Sequence, residues 1–395
     1  MRPQRPRLYF DYAASTPVDP RVLRAMQPYF TERFGNPGSL HSFGQEAIAA
    51  VDRARETIAG TLGAEFRDII FTGSATEANN LALRGTLLRF REQFPNIIPR
   101  LIVSSIEHES VLETARDFGQ SGVELVVIPV SRDGVIDMRT LERAFDANTV
   151  LVSVMYANNE VGTIQPIADI ARTISRFREK NHSHSYPLLH TDAAQAFQFL
   201  DCDVTRLGVD LMTLSAHKIY GPKGVGVLYA RNRSLLLPFM IGGGQEFGMR
   251  SGTENVPLIA GFGEAAALVE KDTGYVTRRI GDLRDYFWRE LKKMYPRAQR
   301  NGSVRTVLPN ILNVSFPNYE AQDLLTFFDL HGVAVSAGSA CSSRSFEPSY
   351  VIRALGHSRE RARRSVRFSF GRPTTREEIL SASRVIKRCL REYKK

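Results

Sequence analysis

Between about residues 65 and 230, short β-rich runs alternate with longer amphipathic ones, and that alternation leaves few folds open. The runs read as strands are Ile69-Thr72, Leu101-Ser105, Glu124-Val130, Val150-Tyr156, Leu188-Thr191, Leu211-Ser215 and Val225-Ala230. Several are continuously apolar rather than alternating, as strands covered on both faces must be. Between them, Thr76-Phe90, Ser110-Gln120, Met138-Phe145 and Ile167-Arg178 carry helical periodicity and are long enough for parallel crossovers. The pattern predicts an α/β fold whose large domain is a mainly parallel seven-stranded sheet covered by helices.

The texture changes after the glycine run Gly242-Gly244 and the turn Met249-Thr253. A helical region, Leu258-Met294, interrupted near Gly274, leads to strand-like Ile311-Phe316, Val333-Ser336 and Val366-Phe370. This places a large domain at residues 16–257 and a smaller α/β domain at 258–395, joined by residues 1–15. No internal repeat is evident. His182 and His184 in the stretch Asn181-Ser185 lack further ligands for a metal, so no metal site is expected.

Composition narrows the function classes. The 395 residues hold 43% hydrophobic and 24% charged side chains, which excludes a disordered or collagenous chain. Three widely spaced cysteines, Cys202, Cys341 and Cys389, cannot form a framework of bridges and suit a reducing compartment. The basic start Met1-Arg7 lacks the apolar region of a signal peptide, and no run reaches the roughly 18 apolar residues of a membrane span, so a cytoplasmic protein without membrane association is expected. With 52 Lys and Arg against 42 Asp and Glu the chain carries +10, yet its densest basic cluster, Arg359-Arg367, has no RNP-type or zinc-finger motif beside it. A solvated basic face is expected there, not direct nucleic-acid binding.

In an open parallel sheet, ligands bind beyond the carboxyl ends of the strands. After Ile69-Thr72 comes Gly73-Ser74-Ala75-Thr76, a small-residue turn entering a helix, whose free N–H groups and the Thr76 hydroxyl suit a phosphate. Read alone, it is equally an ordinary capped turn. His108 follows Leu101-Ser105, Asn159 follows Val150-Tyr156, Asp192 and Gln195 follow Leu188-Thr191, and Ser215-Ala216-His217-Lys218 closes Leu211-Ser215. Singly each is weak. Together they match the needs of pyridoxal phosphate: a Schiff-base lysine, an aspartate to keep the pyridine nitrogen protonated, and a histidine to stack on the ring. Nicotinamide is disfavoured, since no Gly-x-Gly-x-x-Gly turn follows a strand.

Two further features carry chemistry. Cys341 sits in the Ser/Gly-rich run Ser336-Ser345 beside Arg344, a setting for an exposed, partly ionised nucleophile. Cys202 lies between Asp201 and Asp203, which disfavour its thiolate, and Cys389 is a weak competitor. Arg367 stands within a short strand, placed either to hold a carboxylate bidentately or to form a structural salt bridge.

These residues, with Asp11-Pro20, Phe34-Pro37, Asn158-Glu160, Gly242-Glu246, Met249-Thr253, Pro309-Asn313 and Ser339-Cys341 in the same order, resemble the cysteine desulfurases of the NifS/IscS type, fold-type I pyridoxal-phosphate enzymes of the class V aminotransferases. The resemblance covers nearly the whole chain. It implies that Lys218 is the Schiff-base lysine, Asp192 the pyridinium partner, and His108 a stacking group that assists proton transfer. Asn159 and Gln195 would face the phenolic oxygen, and Ala75, Thr76, Ser215 and His217 the phosphate, joined by Thr253 of a second subunit in a homodimer. Arg367 would clamp the carboxylate of L-cysteine. Cys341 would take its sulfur, leaving L-alanine and a persulfide destined for an iron–sulfur scaffold or another sulfur carrier. The alternatives are a selenocysteine lyase or cysteine sulfinate desulfinase, or a non-catalytic scaffold of the same fold. Gly73-Ser74 reverses the Ser-Gly usual in the family. The run to Glu347-Tyr350 resembles the long-loop class, and the ending Arg391-Lys395 is shorter than the tail with which housekeeping relatives engage the scaffold.

Overall fold

A computed structural model describes residues 7–183, 185–338 and 347–392. Cys341 lies outside the described residues. The strands in chain order are β1 (Leu8–Tyr9), β2 (Ile69–Thr72), β3 (Arg100–Ser104), β4 (Glu124–Ile128), β5 (Thr149–Ser153), β6 (Leu188–Asp192), β7 (Leu211–Ser215), β8 (Gly226–Ala230), β9 (Gln299–Asn301), β10 (Ile311–Ser315), β11 (Val333–Ala334) and β12 (Ser365–Ser369).

Seven of these form the large sheet, in the order β2-β8-β7-β6-β5-β3-β4. The pairs from β7 through β4 are parallel, whereas β8 runs antiparallel to both β2 and β7. Every residue of β2, β5, β6, β7 and β8 is buried, which is why their sequences lack apolar-polar alternation and, apart from the polar end His190-Thr191-Asp192 of β6, are mostly apolar. The predicted crossovers are present as helices Ala75–Gln93, Glu109–Gln120, Met138–Ala144 and Ile167–Lys180.

The C-terminal part holds a three-stranded antiparallel sheet, β12-β10-β9, and the short parallel pair β1-β11. The N-terminal segment is thus stitched to the end of the chain, and Asp11 continues this by bridging to Ser369. One correction concerns Gly274: the helix Val256–Met294 runs through it for 39 residues without a break. A glycine in a helix costs only about 1 kcal/mol relative to alanine. The helix buries Ile259, Phe262, Ala265 and Ala266 before Gly274 and Ile280, Phe287 and Leu291 after it, and this burial outweighs that local preference. The edge strand β9, polar and three residues long, carried no pattern that sequence reasoning could catch.

The cluster Arg359-Arg367 does not form one solvated face. Arg363 and Arg364 pair with Glu320, Arg364 also pairs with Glu360, and Arg367 is buried. Among the described residues no helix is long and apolar enough to cross a membrane.

Candidate active site

Because β2, β3, β5, β6 and β7 all point the same way, the residues that follow them converge. They line a cavity of about 430 Å³ that contains Ala75, Thr76, His108, Asn159, Asp192, Gln195, Ser215, His217, Lys218 and Arg367. Strand β8 is reversed, so its beginning meets the cavity, through Gly224 and Val225. Thr253 does not line this cavity. It stands behind the turn, beside Thr72, Gly73 and Arg250.

The turn after β2 is organised by its own side chains. Ser74 caps the helix Ala75–Gln93 by accepting from the Glu77 N–H at 3.1 Å, and Gly73 N–H donates to Glu77 Oε2 at 2.8 Å. The N–H groups of Ala75 and Thr76 belong to the first turn and have no intrahelical acceptor, so the cavity wall carries free donors at the positive end of a helix. Gly226 of β8 backs this turn so closely that an added Cβ would lie 2.5 Å from the Ser74 carbonyl carbon. Glu77 also pairs with Arg250 at 2.8 Å, fixing the Met249-Thr253 turn against it. Behind it, Glu246 forms a buried pair with Arg55 at 2.8 Å and accepts from Phe71 N–H at 2.9 Å, tying the glycine run to β2.

At the opposite end, Asp192 Oδ1 accepts from Ala194 N–H at 2.9 Å and Oδ2 from Asn79 Nδ2 at 2.8 Å. Asn79, wholly buried, also donates to Ser110 Oγ at 2.8 Å, and Ser110 N–H donates to His108 Nδ1 at 3.1 Å. A ring nitrogen that accepts from a backbone N–H keeps its lone pair, so the His108 proton sits on Nε2. Burial lowers the His108 pKa, with Lys218 adding to the effect and Asp192 opposing it. His217 is lowered to about 4 by burial and by Lys218 and Lys223, leaving a neutral ring beside the turn.

Lys218 ends a short 3-10 turn, Ala216–Lys218, directly after β7. Its Nζ donates to the carbonyls of Ala13 and Ala14 at 2.7 and 2.8 Å, and Gln195 Nε2 shares the Ala13 carbonyl at 2.9 Å. Across the cavity, Arg367 forms the structural salt bridge that was one of the two readings its sequence position allowed. It pairs with Asp11 at 2.7 Å and donates to the Asn159 carbonyl at 2.8 Å, while its buried Nε has no partner among the described residues. The side-chain amide oxygen of Asn159 is also buried and has no partner among the described residues.

The remaining cysteines are inert. Both Cys202 and Cys389 are free and buried. The Cys202 thiol is pushed up first by burial and only then by Asp201, so the neighbouring charge is the lesser cause. Burial raises Cys389 to about 11. Sequence reasoning missed Asn79, Ser110 and Asp11 as side chains that hold the site, although Asp11 falls within a motif it singled out and Asn79 within the helical run that follows the turn.

The chain matches the class-V aminotransferase family over residues 8–381. It is 46% identical over 380 residues to the mitosomal cysteine desulfurase of Trachipleistophora hominis, covering 94% of this chain and 83% of that protein. Among solved structures, a NifS-like protein superposes with a TM-score of 0.89 at 35% identity over 98% of this chain and all of that one. SspA, solved in complex with cysteine, does so with a TM-score of 0.78 at 38% identity over 92% and 98%. A parallel sheet whose strand ends carry Lys218, Asp192 and His108 into one cavity, matched over almost its whole length, places the chain in the class-V aminotransferase family, on its cysteine desulfurase branch.

Proposed function

We propose that this chain removes the sulfur of L-cysteine, yielding L-alanine and a persulfide on Cys341 that passes to an acceptor protein. The observation that carries this reading is one cavity lined by Lys218, Asp192, Arg367 and Asn159, whose buried amide oxygen has no partner among the described residues. Family membership makes pyridoxal phosphate the cofactor, and the donor set fits it. A phosphate suits the N–H groups of Ala75 and Thr76 with Ser215 and His217, a pyridine nitrogen suits Asp192, and a ring hydroxyl suits Asn159 and Gln195. Asp192, held by Asn79 and Ala194, is fixed as an acceptor for a protonated nitrogen. When bound, the cofactor supplies an electron sink for the pair left at the substrate α-carbon.

The chain's own residues do the rest. Arg367, anchored by Asp11 and the Asn159 carbonyl, keeps Nε and further N–H groups for the substrate carboxylate. Lys218 Nζ, released to its amine form, takes the α-proton and later returns a proton to the product carbon. His108, oriented by Ser110, would hold the cofactor ring and assist the proton transfer through Nε2. The Cys341 thiolate attacks the substrate sulfur; the S–S bond forms as the C–S bond breaks, and the bonding pair stays with carbon, which takes up a proton to become the methyl of alanine.

The same reading assigns residues 16–257 to the cofactor domain and residues 1–15 with 258–395 to the smaller one, supported by the β1-β11 pairing. It takes the protein as a homodimer in which Thr253 of a second copy completes the phosphate site, since within one chain Thr253 stands outside the cavity. A reducing compartment such as the cytoplasm suits the two free buried cysteines, and the acceptor is an iron–sulfur scaffold or a tRNA-thiolation carrier. The test is alanine and sulfide formation from L-cysteine with reductant by wild type and Cys341→Ala. Loss of turnover in the variant with cofactor retained is expected, and wild-type sulfide production by it sinks the assignment. Selenocysteine or cysteine sulfinate turnover that survives in Cys341→Ala would favour the lyase reading instead.

A further inference from the structure

One side chain outside the cavity lining joins both flanks of the segment that carries Cys341. Glu160 follows Asn159 and is 1% exposed. Its Oε2 accepts from Ser349 Oγ at 2.5 Å, just after that segment. Just before it, Gly338 has φ +78°, and a Cβ added there would lie 3.3 Å from the same Oε2 and 3.5 Å from Ser349 Cβ. Two stretches of chain eleven positions apart, 338 and 349, therefore meet at one carboxylate oxygen.

The surroundings hold this meeting point still. Glu160 N–H donates to Asn158 Oδ1 at 2.9 Å, and its carbonyl accepts from Asn313 Nδ2 at 3.2 Å. Ser349 uses its hydroxyl twice, donating to Glu160 and accepting from Ile352 N–H at 3.1 Å to cap the helix Tyr350–Ala354. Tyr350 OH donates to the Glu107 carbonyl at 2.5 Å, next to His108. On the other flank, Ser336 and Arg367 exchange backbone hydrogen bonds of 3.2 and 2.6 Å. A short path of contacts thus runs from Arg367 and Asn159 in the cavity to both ends of the cysteine segment.

We propose that Glu160 is a positioning residue for sulfur transfer: its carboxylate holds Ser349 by a hydrogen bond, with Gly338 packed against the same oxygen, and so sets where the two flanks of the cysteine segment stand beside the cavity. The proposal rests on the reading of Cys341 as the sulfur acceptor. Fixing both ends of a tether confines its middle and raises the local concentration of the thiol at the substrate, whereas releasing one end dilutes it. The cofactor and substrate contacts are made by other side chains and stay in place.

The test uses the holoenzyme and follows two signals: the change in cofactor absorbance with L-cysteine concentration, and the single-turnover rate of persulfide formation on Cys341. Glu160→Ala and Ser349→Ala should each keep the wild-type half-saturation for absorbance while slowing persulfide formation about tenfold, the scale of a modest misplacement. Because both cut the same link, the double variant should be no slower than either single one. Ser349→Thr, which keeps the hydroxyl, should restore the rate. Additive losses, an unchanged persulfide rate, or loss of the absorbance change in Glu160→Ala would each overturn the proposal. Cys341→Ala run alongside separates the two claims, since wild-type alanine formation by it would remove the acceptor reading and this proposal together, whereas the failures above leave the acceptor reading intact.

Discussion

The cavity has two unlike walls. One consists of residues that directly follow strands of a single sheet: the Ala75 and Thr76 turn, His108, Asn159, Asp192 and Lys218. The other presents Arg367, backed from outside the lining by Asp11, Glu160 and the flanks of the cysteine segment, with Asp11 and Arg367 356 positions apart in the chain. The first wall is fixed by secondary structure, because a buried parallel strand can deliver its last residue only to one edge. The second depends on the pairing of β1 with β11 and of β12 with β10, so it is a product of tertiary assembly. Under the proposed function the first wall holds the cofactor and the second receives the substrate carboxylate.

The comparison yields variants of graded severity. Lys218→Ala strikes the first wall at its reacting atom and should lower turnover at least about a thousandfold, the scale of a lost proton-transfer group, with an unchanged far-UV circular dichroism spectrum. Residual turnover near wild type would move the proton to another residue. Arg367→Ala strikes the second wall. Removing charge-assisted hydrogen bonds to a carboxylate, worth about 1.5–3 kcal/mol, should lower kcat/KM for L-cysteine roughly 10- to 150-fold while cofactor content stays constant. If cofactor is lost along with substrate affinity, the two walls are not independent.

Asn79→Ala tests an indirect support of the first wall. With its donor to Asp192 gone, the cofactor's absorbance should titrate at a different pH, and turnover should fall about tenfold. An identical pH profile would reduce Asn79 to a packing role. The smallest effect is expected from Glu107→Gln. Burial raises the Glu107 carboxyl from 4.5 to about 8, with the Ser104 hydroxyl and Met155 N–H only partly opposing it. The folded chain therefore keeps a proton that the unfolded chain loses near 4.5, and stability falls as pH rises from about 4.5 to about 8. The substitution should flatten that fall in a series of thermal melts across this range, and an unaltered slope would place the titration elsewhere.

The same contrast explains what the sequence disclosed. The seven strands of the large sheet and the residues after them were legible, since hydrophobic runs mark buried strands and strand ends mark a ligand site. Supports such as Asn79, which reaches Asp192 across 113 positions, and Arg55, which reaches Glu246 across 191, were not. Their partners are chosen by packing, and no local spacing encodes them. Arg367 shows the intermediate case. Its type and strand were visible, but only the structure shows that one side of its guanidinium is bound to Asp11 while Nε has no partner among the described residues. Gly274 illustrates the opposite error, a local helix-breaking signal overridden by burial on both sides.

The central claim is that sulfur leaves L-cysteine for Cys341 and for no other thiol. The most direct measurement mixes holoenzyme with a stoichiometric amount of L-cysteine, quantifies alanine, and locates the added sulfur by mass spectrometry of peptides alkylated under non-reducing conditions. One sulfur atom on the Cys341 peptide for each alanine formed is the predicted result. Alanine without added sulfur on that peptide, or sulfur on the buried Cys202 or Cys389, would contradict it.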